Sequence, residues 1–164
     1  MENINLPVSQ GQPAETRGRA DSSTKVCLLT IGGDVYAVDL RNVREAFEVD
    51  VITPVPGMPS ALVGVTNVRG AVVAVMDLRR MLGVPVTGPT PPYAVIIKHG
   101  NHQVGVLVER VPEIRTVQTE QFLPTPSGDA REGKPFLTAV LRLDDRMGGV
   151  VEVPTLLACM ETES

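Results

Sequence analysis

The run from Gly64 to Gly83 narrows the local shapes open to this chain more than any other stretch. Asn67 and Arg69-Gly70 read as a polar turn with an arginine at its tip, followed at once by Ala71-Val72-Val73-Ala74-Val75-Met76, an apolar run of strand length. Asp77 then stands where a helix N-cap belongs and Gly83 where a left-handed stop belongs. Between them Leu78, Met81 and Leu82 are spaced i, i+3, i+4 and give one short apolar face. A charged tip held on a strand-to-helix unit suits gripping a partner. It does not suit chemistry, because no acid, base or nucleophile stands beside it.

The remainder reads mostly as short strands and turns. Val26 to Ile31 is a continuous apolar strand, Gly32-Gly33-Asp34 a hairpin turn, and Val35 to Leu40 the returning strand. From Leu40 to Val49 two periods compete. Leu40, Val43, Ala46 and Phe47 fit a helix, whereas Val43, Glu45, Phe47 and Val49 fit a strand, and periodicity alone leaves both open. Thr53 to Ser60 holds three prolines and must be a loop. Ser60 to Val63 is expected as a single helical turn. Val84 to Pro92 reads as a Pro-rich linker and as the boundary between two halves.

A second β set follows. Tyr93 to Lys98 and Gln103 to Glu109 flank a Gly100-Asn101 turn, and Val111, Ile114 and Val117 continue the set. Phe122 to Pro135 is a polar excursion, after which Phe136 to Leu143 alternates, turns at Asp144-Asp145-Arg146 and returns through Val150 to Val153. Residues 1–24 show no apolar face and are expected to be a disordered tail. Hydrophobic residues make up 43% of the chain but aromatics only 3%, so the core must be built from Val, Leu, Ile and Ala. Within 164 residues, two hairpin-rich halves would each be marginal alone, which predicts two small barrels sharing an apolar seam with a partner groove beside it.

Most chemical functions lack their residues. Net charge is −4 and the few aromatics are scattered, which argues against nucleic-acid binding and against anionic membrane surfaces. His99 and His102 flank a turn without a nearby thiol, so they are expected to be solvated rather than metal ligands. No nucleophile elbow, phosphate loop or dinucleotide fingerprint is present. The acidic pairs Asp144-Asp145 and Asp129/Glu132 read as solvated loop charge. Cys27 and Cys159 lie in apolar surroundings and are expected as two reduced thiols, with a disulfide as the other reading. With no leader-like segment and no run of membrane-helix length, the expected location is cytoplasmic without direct membrane insertion. Neither cofactor nor metal is expected, and an enzyme has little support.

Several of these stretches together resemble the CheW-type chemotaxis coupling proteins. The resemblance rests on Asp34 to Glu45, a Pro-containing loop, Gly64-Val65-Thr66-Asn67-Val68-Arg69-Gly70 and Val75-Met76-Asp77-Leu78-Arg79. It extends through Gln103 to Val111 and Thr119 to Phe122, covering about Val26 to Leu157. It implies an all-β fold of two interlocked, SH3-like five-stranded β-barrels with a short helix between them and a short C-terminal helical segment. The expected partition places the first barrel mainly in 34–88, the second in 25–33 plus 89–153, and the C-terminal segment in 154–164, within a domain of residues 25–160. It resolves the Val43 region in favour of strand.

By the same resemblance the protein is an adaptor. It would join the cytoplasmic tip of a methyl-accepting chemoreceptor to the regulatory domain of a CheA-type histidine kinase, at receptor arrays. Leu40 and Val43 would line the receptor groove, Glu45 and Arg69 would stand at its rim, and Val111 and Ile114 would close the other wall. The residues alone also allow Val43, Val111 and Ile114 to be plain core and Glu45 to be solvated. Ala74 stands where the family often has Pro, Ala139 where Gly is common, and the 122–135 loop is rich in Gly and Pro. The second-half departures fall near the expected kinase surface, so the alternative is a reduced member that binds receptor but not kinase.

Overall fold

The computed structural model describes residues 3–4, 22–125 and 134–162. Chain order begins with β1 (Asn3–Ile4), β2 (Ser23–Ile31), β3 (Asp34–Asp39), a 3-10 turn at Leu40–Asn42 and β4 (Val43–Glu48). It continues through β5 (Leu62–Val68), β6 (Ala71–Met76), α1 (Leu78–Leu82), β7 (Tyr93–His99) and β8 (His102–Val108). The last part holds β9 (Glu113–Gln118), a 3-10 turn at Thr119–Gln121, β10 (Phe122–Pro124), β11 (Leu137–Arg142), β12 (Met147–Val151) and α2 (Val153–Thr162).

The strands form two sheets, ordered β1-β4-β7-β8-β6-β5 and β10-β11-β12-β3-β2-β9. Each has six strands, one more than the five expected, and in the first sheet the extra one is the two-residue β1 on the edge of β4. In each sheet the chain links the two ends. The segment after β4 reaches β5 at the far edge through the Thr53–Val65 bridge. In the second sheet β9 at one edge runs through Thr119–Gln121 into β10 at the other.

The expected partition of the chain does not hold. β3 pairs with β2 from Val26↔Asp39 to Ile31↔Asp34, so 34–39 belongs with 25–33 in the second lobe. β7 and β8 belong with β4 to β6, since β8 lies parallel to β6 through Val75↔Gly105 and Met76↔Val106. The first lobe is therefore residues 43–108 with Asn3–Ile4, and the Pro-rich stretch 84–92 is a crossover inside it rather than a boundary. Parallel neighbours need such a crossover because a tight turn can only reverse the chain. The lobes exchange chain at Leu40–Asn42 and again after Val108. At the second exchange the Glu109 carboxylate accepts hydrogen bonds from the Gly32 and Gly33 N–H groups (2.6 and 3.1 Å), tying the exit of β8 to the β2–β3 turn.

Three apolar cores explain why so many strands lack polar alternation. Phe47, Val73, Val75, Ala94, Ile96 and Leu107 fill the first lobe, and Val26, Leu28, Val35, Ala37 and Leu141 fill the second. The opposite faces of the same strands, including Cys27, Leu29, Val38, Val95, Ile97, Val104 and Val106, meet in a shared seam. A strand buried on both faces must be apolar at every position. The expected seam is thus present. It is also filled, because α1 inserts Leu78 and Leu82, and α2 inserts Leu156, Leu157 and Met160.

Local chemistry behaves as read. Asp77 caps α1 through the Arg79 N–H (3.1 Å), and Gly83 ends it at φ 74°. Arg69 and Gly70 take φ 52° and 87° in the two-residue β5–β6 turn, the left-handed pair such hairpins require. Ser60 to Val63 is not helical: Leu62 opens β5, and Gly64 passes so close to Thr53 that a Cβ there would run into its carbonyl. Asn3–Ile4 and Ser23-Thr24 are paired strand residues rather than tail. Ser22 is described too, its carbonyl accepting from the Thr119 N–H (2.9 Å), while residues 1–2 and 5–21 of the expected tail, and residues 126–133 with Asp129 and Glu132, lie outside the described residues.

Candidate functional site

Construction of the candidate site begins where β3 ends. Asp39 caps the 3-10 turn by accepting from the Arg41 N–H (2.8 Å) and grips the Arg41 guanidinium through Nε (3.1 Å) and Nη2 (2.8 Å). The hydrogen bond from Arg41 holds the Asp39 carboxyl below the ordinary aspartate range, against the opposing effect of partial burial. Asn42 Nδ2 donates to the Lys98 carbonyl (3.1 Å) and fastens the turn to β7. Leu40 and Val43 are half-buried against the seam core.

β4 carries a bulge at Arg44, with Val43 opposite Ile97 and Glu45 opposite Ile96. The extra residue explains the ambiguous period of this stretch. Val43 packs on the seam while Phe47 enters the first-lobe core, an arrangement that strict alternation would forbid. Glu45 is largely enclosed, with 12% of its side chain exposed, and forms an ion pair with Arg69 from the β5–β6 turn. Arg44 approaches the same carboxylate (3.7 Å) and donates through Nη1 to Gln103 Oε1 on β8 (2.9 Å). A polar chain Arg69–Glu45–Arg44–Gln103 thus crosses from the β5–β6 turn over β4 to β8.

Four of the six expected receptor residues therefore stand in one region: Leu40 and Val43 on the seam, Glu45 and Arg69 in direct contact. Val111 and Ile114 belong to the second lobe. Val111 is exposed on the crossover after β8, and Ile114 is half-buried on β9 opposite Cys27. The expected open trench along the seam is occupied by α2. One open space beside it is a groove of about 310 Å³ between the 3-10 turn, the second lobe and the start of α2, lined by Val26, Val38, Asp39, Asn42, Val150 and Pro154 among others.

Sequence reading passed over the Asp39–Arg41 fork, the Arg44–Gln103 contact and the Glu109 tie. A signal for the first existed, since Asp-Leu-Arg recurs at Asp77-Leu78-Arg79. The other two join strands distant in sequence and leave no local trace. His99 and His102 face each other across the β7–β8 turn, both exposed. Among the described residues no three His, Cys, Asp or Glu side chains converge as metal ligands, and no helix is long and apolar enough to cross a membrane. Burial in the seam pushes the Cys27 thiol up to about 12, and Cys159 is half-buried on α2.

Comparison with known proteins places this geometry. A family model described as a CheW-like domain matches residues 25–160. A probable chemotaxis protein CheW of Rhizobium etli is 33% identical over 135 residues, covering 82% of this chain and 87% of that protein. The chemotaxis protein CheW of Bacillus subtilis is 25% identical over 136 residues, covering 81% and 86%. Among solved structures, the scaffolding protein TtCheW from Thermoanaerobacter tengcongensis shares the fold with a TM-score of 0.68 at 23% identity, over 78% of this chain and 88% of that one.

Proposed function

The chain belongs to the CheW-like domain family, and from that premise we propose that it is a non-catalytic adaptor coupling chemoreceptor tips to a CheA-type histidine kinase in a chemotaxis pathway. Its working place is the cytoplasmic face of a receptor array. The observation that carries the receptor contact is the Glu45–Arg69 ion pair standing beside the half-buried Leu40 and Val43. An amphipathic helix docks by laying apolar side chains against such a surface, while charges at the rim set its register and exclude mispaired partners. Arg69 sits on a tight hairpin tip in a left-handed conformation, braced by the Gly70 N–H donating to Asn67 Oδ1 (2.9 Å). It therefore presents its charge from a fixed position. Val111 and Ile114 are proposed as the second wall of the receptor site, reached from the other lobe.

The test is reconstitution of the full chain with a receptor signalling fragment and the kinase. Arg69→Glu places a second carboxylate against Glu45 and reverses the rim charge. Arg69 is half exposed on its hairpin tip while Glu45 is largely enclosed, so the variant should unfold below the wild-type midpoint yet remain folded under assay conditions. Receptor control of the kinase should be abolished. A folded Arg69→Glu variant that still supports full receptor-controlled kinase activity refutes the assignment. Binding of the wild-type chain to the isolated kinase regulatory domain separates a coupling adaptor from a member that holds receptors alone.

A further inference from the structure

The triplet Asp-Leu-Arg builds the same device twice. At Asp39-Leu40-Arg41 and at Asp77-Leu78-Arg79 it ends a strand, caps the following helical turn through the arginine N–H, and clamps that arginine's guanidinium with both carboxylate oxygens. The two copies differ in what covers them. Arg79 is 8% exposed, and its Nη1 donates to the Thr87 carbonyl (3.2 Å) in the crossover loop that lies over it. Arg41 is 89% exposed, and among the described residues its Nη1 meets no acceptor. One copy shows what the fork does when covered: its outward nitrogen takes an oxygen. The other stands open beside Leu40 and Val43.

An arginine whose side chain is already fixed by an internal carboxylate loses little conformational freedom when a partner arrives. The charge around it is also basic on balance. The 3-10 turn, β4, the β5–β6 tip and β7 carry Arg41, Arg44, Arg69 and Lys98, against the carboxylates of Asp39 and Glu45 and that of Glu152, which lines the groove beside Asp39 and Asn42. Four cations against three anions leave this region positive, on a chain whose net charge is −4. Lys98 is exposed, and its carbonyl is the group that fastens Asn42.

Resting on the receptor-binding reading, we infer that Arg41 is a specificity-determining contact that accepts a carboxylate side chain of the docking receptor helix. Asp39 is its positioning residue, and Arg44, Arg69 and Lys98 supply the field that favours an acidic helix face. The partner chemistry is therefore a helix bearing Glu or Asp next to its apolar docking stripe.

The experiment measures binding of the full chain to a chemoreceptor-tip helical hairpin in two forms, one native and one with its solvent-facing glutamates changed to glutamine. Arg41→Gln should weaken binding to the native tip about tenfold or more, the range of a lost charge-assisted hydrogen bond. Arg41→Glu should weaken it further. Both losses should shrink to about twofold against the glutamine tip, and wild-type affinity for the native tip should fall with added salt. Unfolding midpoints near wild type are expected for Arg41→Gln, because Arg41 itself is exposed, with a somewhat lower one for Arg41→Glu beside Asp39. Wild-type-like affinity of Arg41→Glu for the native tip overturns the inference, as does an equal loss against both tips. Failure of the wild-type chain to bind the native tip at all overturns the receptor reading itself, and the inference with it.

Discussion

Removing Asp77 should cost this protein far more than removing Asp39, although Asp39 makes every kind of hydrogen bond that Asp77 makes and one more, from Arg41 Nε to Oδ2 (3.3 Å). Asp77 and Arg79 are nearly enclosed, with side-chain exposures of 5% and 8%, and the fork between them spans 2.8–2.9 Å. Asp77→Ala leaves a buried guanidinium without its counter-charge. The Asp77 hydrogen bond raises the affinity of Arg79 for its proton further, and an arginine cannot escape burial by becoming neutral. Breaking a buried pair on one side destabilises by about 3–5 kcal/mol. Loss of the α1 cap acts in the same direction. In the Asp39–Arg41 copy the arginine is exposed to water, so Asp39→Ala strands no buried charge and loses chiefly the cap, roughly 1 kcal/mol. With a typical total stability of about 5–15 kcal/mol, the first change removes a large share and the second a small one. Because the chain has no Trp, unfolding in urea is best followed by far-ultraviolet circular dichroism. The expected difference between the variants is at least about 2 kcal/mol, or a separation in Tm of roughly 4–8 °C for a chain of this size. Equal losses in the two variants would refute the claim that burial, rather than the hydrogen-bond set, decides what this motif contributes.

Two further outcomes follow from the packing. Gly64→Ala drives a methyl group into the Thr53 carbonyl and Ile52 at the bridge that closes the first lobe, from a φ of 156° that side chains rarely adopt. A loss of about 1–3 kcal/mol is expected by urea unfolding, and a neutral result would deny the close approach. Cys27, raised to about 12 by burial in the seam, should resist an aromatic disulfide reagent at pH 8 until the chain unfolds. Cys159 should react first in the native protein, so equal native rates for the two thiols would contradict a closed seam.

The stretches that could be read locally were those governed by neighbouring residues. The cap at Asp77, the stop at Gly83 and the hairpins at Gly32-Gly33 and Arg69-Gly70 each depend on a few adjacent side chains and on which residues tolerate positive φ. The pairing of Glu45 with Arg69 was legible only as two rim residues named by family likeness, since nothing local joins β4 to a turn 24 residues onward. Val43 was ambiguous for a definable reason: the bulge at Arg44 shifts the parity of β4 midway, so neither a period of two nor one of 3.6 describes it.

Amino-acid order alone therefore determined most of the longer strands, where the chain turns between them, and that the core is aliphatic, but not β1, β4 or β10. Tertiary structure decided which strands share a sheet, that 34–39 joins the second lobe and 93–108 the first, and that α2 fills the seam. The physical reason is burial on both faces. The middles of β2, β7 and β8 (residues 26–29, 94–97 and 104–108) are unbroken apolar runs, so they carry no parity mark naming which side meets the barrel and which the seam. Only the crossovers and the competition among long-range pairings choose their neighbours. The same holds for the two Asp-Leu-Arg forks, which are written alike and differ only in what the fold lays over them.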